Sequence, residues 1–292
     1  MPKIDILGFP HFYELTQFNA HKSSPVLIFV HGWLLGKSYW QPLVQKMSSD
    51  YRCLIYDLRG FGDSQFSGDD QTQQDYDYTL NSYAQDLQIM LGQLEIKEAW
   101  LIGHSLGGSI ALWTAKLDPN VVKGVICLNA GGGIYLKEEF ERFRSFGAKL
   151  VQMRPAWLIN VPFLDLLFAY VMVRHRLPRQ WGKQRLVDFV KADSNAALGS
   201  LMSSTTEEQV HFLPLLVSQL KQPVYFIAGS KDMVMETKYV RHLASFHWLF
   251  QEFGSNVVEI DDCGHLAMLE QTEIVESHIR QFIDKTYHLG EH

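Results

Sequence analysis

Six short apolar runs, with helical patterns fitting between them, restrict this chain to a layered fold built on a parallel sheet. The runs are Val26 to Val30, Arg52 to Tyr56, Ala99 to Ile102, Val122 to Leu128, Val224 to Ala228 and Val257 to Ile260. Each is short and nearly continuous in apolar character, as a strand covered on both faces requires. Tyr83 to Leu94 and Ile274 to Ile283 space their apolar residues at the helical period. Strands alternating with helices predict βαβ units, hence an α/β class with a mostly parallel central sheet and helices on both faces. A chain of 292 residues, 47% hydrophobic, can bury such a sheet as a single domain, 1–292, and no Pro-, Gly- or Ser-rich linker divides it.

The alternation fails once. Between Gly131-Gly132-Gly133 and Val224 the patterns are helical, and no strand is expected. The glycine run does not form a G-x-G-x-x-G phosphate cradle and reads as a hinge into an insertion, 134–220. Inside it, Pro155 to Val173 is PAWLINVPFLDLLFAYVMV, followed by Arg174-His175-Arg176, Arg179, Lys183 and Arg185. Pro162 and Asp165 in mid-segment argue against a membrane-spanning helix. Three readings stay open: a helix packed on the core, an apolar entrance for a long substrate that touches a membrane with its basic flank near anionic headgroups, or a contact between copies.

The chemistry is concentrated at Gly103-His104-Ser105-Leu106-Gly107, between the run ending at Ile102 and the helical stretch Gly108 to Leu117. A serine hydroxyl is a poor nucleophile unless it is held out of the fold beside a base. A sharp strand-to-helix turn does this, and the flanking glycines allow the tight backbone and the close helix packing. Downstream, Gly229-Ser230-Lys231-Asp232 presents Asp232 at a strand's carboxyl end. Asp261-Asp262-Cys263-Gly264-His265 puts His265 on a loop able to reach Ser105. Asp261 and Asp262 are the alternative acids, but they sit close to His265 in sequence. The twelve histidines include no H-E-x-x-H or comparable spacing, so neither a metal nor another cofactor is expected.

Together these motifs resemble the α/β-hydrolase superfamily over nearly the whole chain. His31-Gly32-Trp33, after Val26 to Val30, looks like the family's oxyanion-loop motif, and Asp57-Leu58-Arg59-Gly60-Phe61-Gly62-Asp63-Ser64 looks like its D-x-R-G-x-G-x-S loop. The resemblance implies an α/β-hydrolase fold with 134–220 as an inserted helical lid. It further implies Ser105 as nucleophile, His265 as base, Asp232 as orienting acid, and the backbone N–H groups of Trp33 and Leu106 as oxyanion hole. Some relatives carry the acid at the end of the strand after the elbow helix; here that position is Asn129, which points to Asp232. Epoxide hydrolases and haloalkane dehalogenases of this fold need an aspartate nucleophile and are excluded by Ser105. The implied activity is serine hydrolysis of a carboxylic ester of a bulky hydrophobic substrate, and the motif set and apolar lid look similar to photosynthetic-lineage hydrolases that include chlorophyll dephytylases, which cleave a phytyl ester. Such chains are also similar to a lyase, 2-succinyl-6-hydroxy-2,4-cyclohexadiene-1-carboxylate synthase, whose anionic substrate wants inward-facing arginines. Arg142, Arg144 and the Arg174 to Arg185 cluster are the ones available. A non-catalytic receptor or scaffold would be favoured by a broken triad, and here all three residues are present.

The net charge of −6 and pI near 6.0 argue against nucleic-acid partners. Cys53 and Cys127 sit in apolar runs where a buried free thiol is usual, and with Cys263 they make three, which favours a reducing compartment. Met1-Pro2-Lys3-Ile4-Asp5 lacks a secretory pattern. The expectation is a cytoplasmic protein that meets a hydrophobic small-molecule ester and contacts a membrane only peripherally.

Overall fold

A computed structural model describes residues 1–17, 24–65, 76–132 and 137–289. The sheet consists of β1 (Lys3–Ile6), β2 (Phe9–Leu15), β3 (Val26–Val30), β4 (Cys53–Tyr56), β5 (Ala99–His104), β6 (Val122–Leu128), β7 (Val224–Gly229) and β8 (Val257–Ile260). Its spatial order is β1-β2-β4-β3-β5-β6-β7-β8, and β3 to β8 run parallel. These six strands are the six apolar runs, with β4 starting one residue late and β5 and β7 running on into the turns that carry the site. The antiparallel hairpin β1–β2 was not among the expected strands. Its second strand is only half covered and contains Pro10, so it has no continuous apolar run. Its turn is held by left-handed Leu7 and Gly8 (φ 54° and 83°) and by the Gly8 N–H donated to Asp5 Oδ1 at 2.9 Å.

The helices are α1 (Gln41–Met47), α2 (Leu80–Gln93), α3 (Leu106–Leu117), α4 (Lys137–Gln152), α5 (Leu164–Phe168), α6 (Arg179–Lys191), α7 (Ser194–Ser204), α8 (Glu207–Gln219), α9 (Thr237–Ala244), α10 (Trp248–Phe253), α11 (Ala267–Glu270) and α12 (Thr272–Leu289). Side chains alternate across each strand, so β3 feeds two separate cores. Val26, Ile28 and Val30 pack with α2, α3, α8 and α9, while Leu27 and Phe29 pack with α1, α11 and α12. Because every carboxyl end of a parallel strand emerges at one edge, the loops after β3, β5, β6, β7 and β8 meet there.

Between β6 and β7 the described residues form α4 to α8 and a 3-10 turn, Ala156–Asn160, with no strand. Gly133 and the first residues of the expected insertion, through 136, lie outside the described residues. α8 covers the sheet beside α3. The apolar stretch Pro155 to Val173 is not one helix. It is broken into the 3-10 turn, α5 and further turns, with Phe163 and Met172 in the left-handed region (φ 64° and 63°). Among the described residues no helix is long and apolar enough to cross a membrane.

Candidate active site

One residue, Ser105, separates the last residue of β5 from the first of α3, and its backbone lies at φ 51°, ψ −118°. A non-glycine residue held there costs about 1–3 kcal/mol, so the surroundings must impose it. A Cβ on Gly103 would fall 2.2 Å from Gly107 O, and one on Gly107 would fall 2.3 Å from Val30 O. Both flanking glycines are therefore required for α3 to start so close to β3 and β5. The Ser105 N–H donates to Leu128 O at 3.0 Å, which ties the turn to β6.

The loop after β3 lies against this turn, since a Cβ on Gly32 would approach Ser105 Cβ to 3.2 Å and His104 Nδ1 to 2.7 Å. Leu106 is the first residue of α3, so its N–H has no acceptor within the helix and sits at the positive end of the helix dipole. Trp33 follows Gly32, and its indole Nε1 donates to Ala197 O of α7 at 2.9 Å. His31 fixes the loop from behind: its Nδ1–H donates to Gly32 O at 2.8 Å and its Nε2 accepts the Leu58 N–H at 2.9 Å. Burial lowers its pKa, against the opposing charge of Asp57.

The loop 57–64 acts as scaffold. Asp57 accepts the Lys37 backbone N–H (2.6 Å), Lys37 Nζ (2.7 Å) and the Asp63 N–H (3.0 Å). At Gly62 (φ 56°) a Cβ would overlap Asp57 Oδ1 at 2.2 Å. Arg59 is buried among the rings of Tyr76, Tyr78 and Tyr83 and pairs with Asp86 at 3.2 Å.

Asp232 follows β7 and is buried. Its Oδ2 accepts His265 Nδ1–H at 2.7 Å and Asn129 Nδ2 at 2.8 Å, while Oδ1 accepts the N–H groups of Val234 (2.8 Å) and Met235 (3.0 Å). Burial alone would raise this carboxyl. The charge and hydrogen bond of His265, with the bonds from the Met235 N–H and Asn129, outweigh it and hold Asp232 below the ordinary carboxylate range. In a neutral imidazole, a proton on Nδ1 directed at Asp232 leaves the lone pair on Nε2. The His265 backbone is anchored by its N–H to Met172 O (2.9 Å) and by its carbonyl, which accepts His104 Nε2–H at 2.8 Å. The rings of His104 and His265 lie 4.7 Å apart. Burial, with the adjacent His265, pushes the His104 pKa down to about 3, so it stays neutral and serves in packing.

Asp232 and His265 are thus in contact, and Ser105 lies against Gly32, one residue from the ring that packs on His265. Among the described residues no hydrogen bond joins Ser105 to His265, a bond that is often long before substrate binds. Asp262 points away from this cluster and pairs with Arg174 (2.5 Å) and His175 (2.8 Å) at the surface. Two participants were not read from the sequence as part of the site. Asn129 ends β6 in the left-handed region (φ 49°), which asparagine tolerates, and it donates to both Asp232 and Gly264 O. Its signal was a polar residue closing a buried apolar run. Glu270 gathers the N–H groups of Arg174 (2.7 Å), Gly264 (3.2 Å) and Leu266 (3.2 Å), and nothing local distinguishes it from other surface acids. Of the arginines named above, Arg144, Arg174, Arg179 and Arg185 are engaged by protein groups, while Arg142 and Arg176 are exposed. Arg144 donates to Thr205 O, Arg185 donates to Phe168 O and Val171 O, and Arg179 pairs with Asp165.

A family model described as alpha/beta hydrolase fold matches residues 25–272. The protein PHYLLO, chloroplastic, of Arabidopsis thaliana is 26% identical over 133 residues, 45% of this chain but only 8% of PHYLLO. The 2-succinyl-6-hydroxy-2,4-cyclohexadiene-1-carboxylate synthase of Photorhabdus laumondii is 26% identical over 238 residues, 78% of this chain and 76% of that protein. A thermophilic esterase from Thermogutta terrifontis superimposes with a TM-score of 0.74 at 20% identity, covering 98% of this chain and 99% of the esterase. At that identity the likeness speaks for the fold.

Proposed function

The chain belongs to the α/β-hydrolase fold family, and from that premise we propose that it is a serine hydrolase cleaving a carboxylic ester of a bulky hydrophobic molecule through an acyl-enzyme. The observation that carries this reading is the buried His265–Asp232 contact of 2.7 Å at the sheet edge where Ser105 is held at positive φ. His265 Nε2 takes the Ser105 proton as Oγ attacks the ester carbonyl, and the N–H groups of Trp33 and Leu106 receive the oxyanion. Asp232, kept ionised by its donors, stabilises the imidazolium. The proton then passes from His265 to the departing alcohol as the C–O bond breaks. Water, deprotonated by the same nitrogen, attacks the acyl carbonyl, and the acid leaves with Ser105 restored.

The bulky apolar substrate class is supported by the apolar segment whose Met172 carbonyl holds the His265 backbone. Each methylene of a tail buried there would contribute ~0.8 kcal/mol, so a long chain supplies much of the affinity. A phytyl ester of the chlorophyll type is the specific candidate. The competing lyase reading has the similarity to the Photorhabdus synthase in its favour and the engagement of Arg144, Arg174, Arg179 and Arg185 by protein groups against it.

The test is hydrolysis of p-nitrophenyl esters of increasing chain length and of a phytyl ester by wild type and Ser105→Ala. Turnover that rises with chain length and is lost in the variant supports the reading. A folded wild type that turns over no ester rejects it in favour of the lyase.

A further inference from the structure

Large apolar side chains are exposed unevenly on this molecule. Among the described residues fourteen are exposed, and eight of these lie between Phe146 and Met172. Scattered exposed apolar residues are ordinary, but such a concentration marks a contact surface. Charge is uneven in the same place. Residues 142–187 contain nine Lys and Arg and a single acid, Asp165, in a chain whose net charge is −6. The exposed apolar face therefore belongs to a cationic stretch of an acidic protein.

The packing explains why these side chains face outward. α5 rests on α6 so closely that a Cβ on Gly182 would fall 2.1 Å from Asp165 O and 2.9 Å from Ala169 Cβ. With its inner side on α6, α5 and its flanks leave Phe163 70%, Leu167 57% and Tyr170 55% exposed, and Trp157 in the preceding 3-10 turn is 62% exposed. Phe163 and Met172, either side of α5, both adopt the left-handed backbone that large side chains avoid, so the fold holds them out at a cost. Cations stand at the margin: the Arg176 guanidinium lies 5.5 Å from the Tyr170 ring centroid, and Lys183 lines the same surface pocket as Phe163. Arg176 and Lys183 are exposed and form no ion pair among the described residues.

We propose that the face formed by residues 157–172, with Arg176 and Lys183 at its margin, docks on an anionic lipid bilayer. Aromatic and aliphatic side chains enter the headgroup boundary while the cations meet the lipid phosphates, a pairing of apolar insertion and charge attraction that neither a neutral bilayer nor a polar protein surface supplies. The face is also fastened to the site. The Met172 carbonyl accepts the His265 N–H, and the Glu270 carboxylate bridges the N–H groups of Arg174 and Gly264. A docked molecule thus brings the neighbourhood of His265 to the lipid surface. The benefit to catalysis rests on the ester reading; the docking does not.

The experiment is co-sedimentation and flotation of the full chain with vesicles of phosphatidylcholine alone or mixed with phosphatidylglycerol, a readout that needs no turnover. Wild type is expected to bind the anionic vesicles and to release as salt is raised. Phe163→Ser/Leu167→Ser/Tyr170→Ser and, separately, Arg176→Glu/Lys183→Glu are expected to weaken binding by about tenfold or more, while Leu215→Ser, an exposed position outside the face, leaves it unchanged. These are surface positions, and unchanged thermal melting verifies that the variants fold. Wild type that ignores anionic vesicles, or triple-serine protein that binds them equally well, overturns the proposal. Self-association of wild type that the triple-serine change abolishes, without vesicle binding, overturns it too and assigns the face to a contact between copies.

Discussion

Asn129 donates to the same carboxylate oxygen of Asp232 that receives the His265 Nδ1–H, at 2.8 Å and 2.7 Å. With Oδ1 held by two backbone N–H groups, this carboxylate cannot turn, and the imidazole it orients is fixed with it. Asn129 Oδ1 is itself buried with no partner in the structure, so the residue is kept for what its Nδ2 does. Asn129→Ala should lower kcat about 10- to 100-fold with little change in KM. Asn129→Asp sets a second carboxylate against the first, which raises the pH at which the pair ionises and moves the acid limb of the pH–rate profile upward. An acid limb identical to that of wild type would show that the contact does not set the state of Asp232.

Under the proposed mechanism, removal of Ser105 and of Asp232 should have graded effects. Ser105→Ala is expected to abolish acylation, read as loss of fluorophosphonate labelling and a fall in ester turnover of about 10⁶-fold, whereas Asp232→Asn leaves labelling slow and reduces turnover by about 10⁴. Labelling of Ser105→Ala at the wild-type rate would place the nucleophile elsewhere.

The six parallel strands and the positions of the three candidate residues, Ser105, Asp232 and His265, are legible because each is written in a local pattern. β3 and β5 are continuous apolar runs, Ser105 lies between glycines, and Asp232 and His265 follow strands directly. The β1–β2 hairpin is not, since half coverage and Pro10 erase the continuous run. Asn129 is legible only as the place where an acid is missing, because its partner lies 103 positions away. The apolar stretch after Pro155 is legible in composition but not in shape. Pro162 and left-handed Phe163 break it, and its neighbour α6 decides which side faces out.

Two glycines offer a contrast that separates turn geometry from general tolerance. At Gly107 an added Cβ meets Val30 O at 2.3 Å, while at Gly92, near the end of α2, it meets nothing within 4 Å. Gly107→Ala should destabilise the fold by about 2 kcal/mol or more and suppress activity, and Gly92→Ala should stabilise it by about 0.5–1 kcal/mol. Urea unfolding of the two variants beside wild type checks both signs.

Asp188 on α6 accepts the Tyr39 hydroxyl at 2.9 Å, linking the stretch between β6 and β7 to the core. Burial pushes its pKa up to about 6, against the donors Gln184 and Tyr39 and with the charges of Asp57 and Asp63 adding. The folded protein therefore holds this proton more tightly than the unfolded chain. The cost of the charged form is fully present above pH 6, falls as pH drops through 6, and is gone below the ordinary value of 3.8. Asp188→Asn should stabilise the protein by about 1–3 kcal/mol at pH 8, with the gain over wild type shrinking toward pH 4. Thermal melts of the pair across that range test it, and a gain that grows toward acid would reverse the assignment.

Glu270 takes N–H groups from both sides of His265, at Gly264 and Leu266, and from Arg174 and His175 at the end of the apolar segment. The loop of His265 and the end of the apolar segment are thereby moored to one post. Residues upstream of Met172 can be exchanged for others that suit a different guest or surface, because nothing in the imidazole's own support passes through them. Residues 172–175 cannot drift in this way, since any new path for their backbone would also have to be a path for the loop of His265. The segment is a replaceable module with a fixed hem.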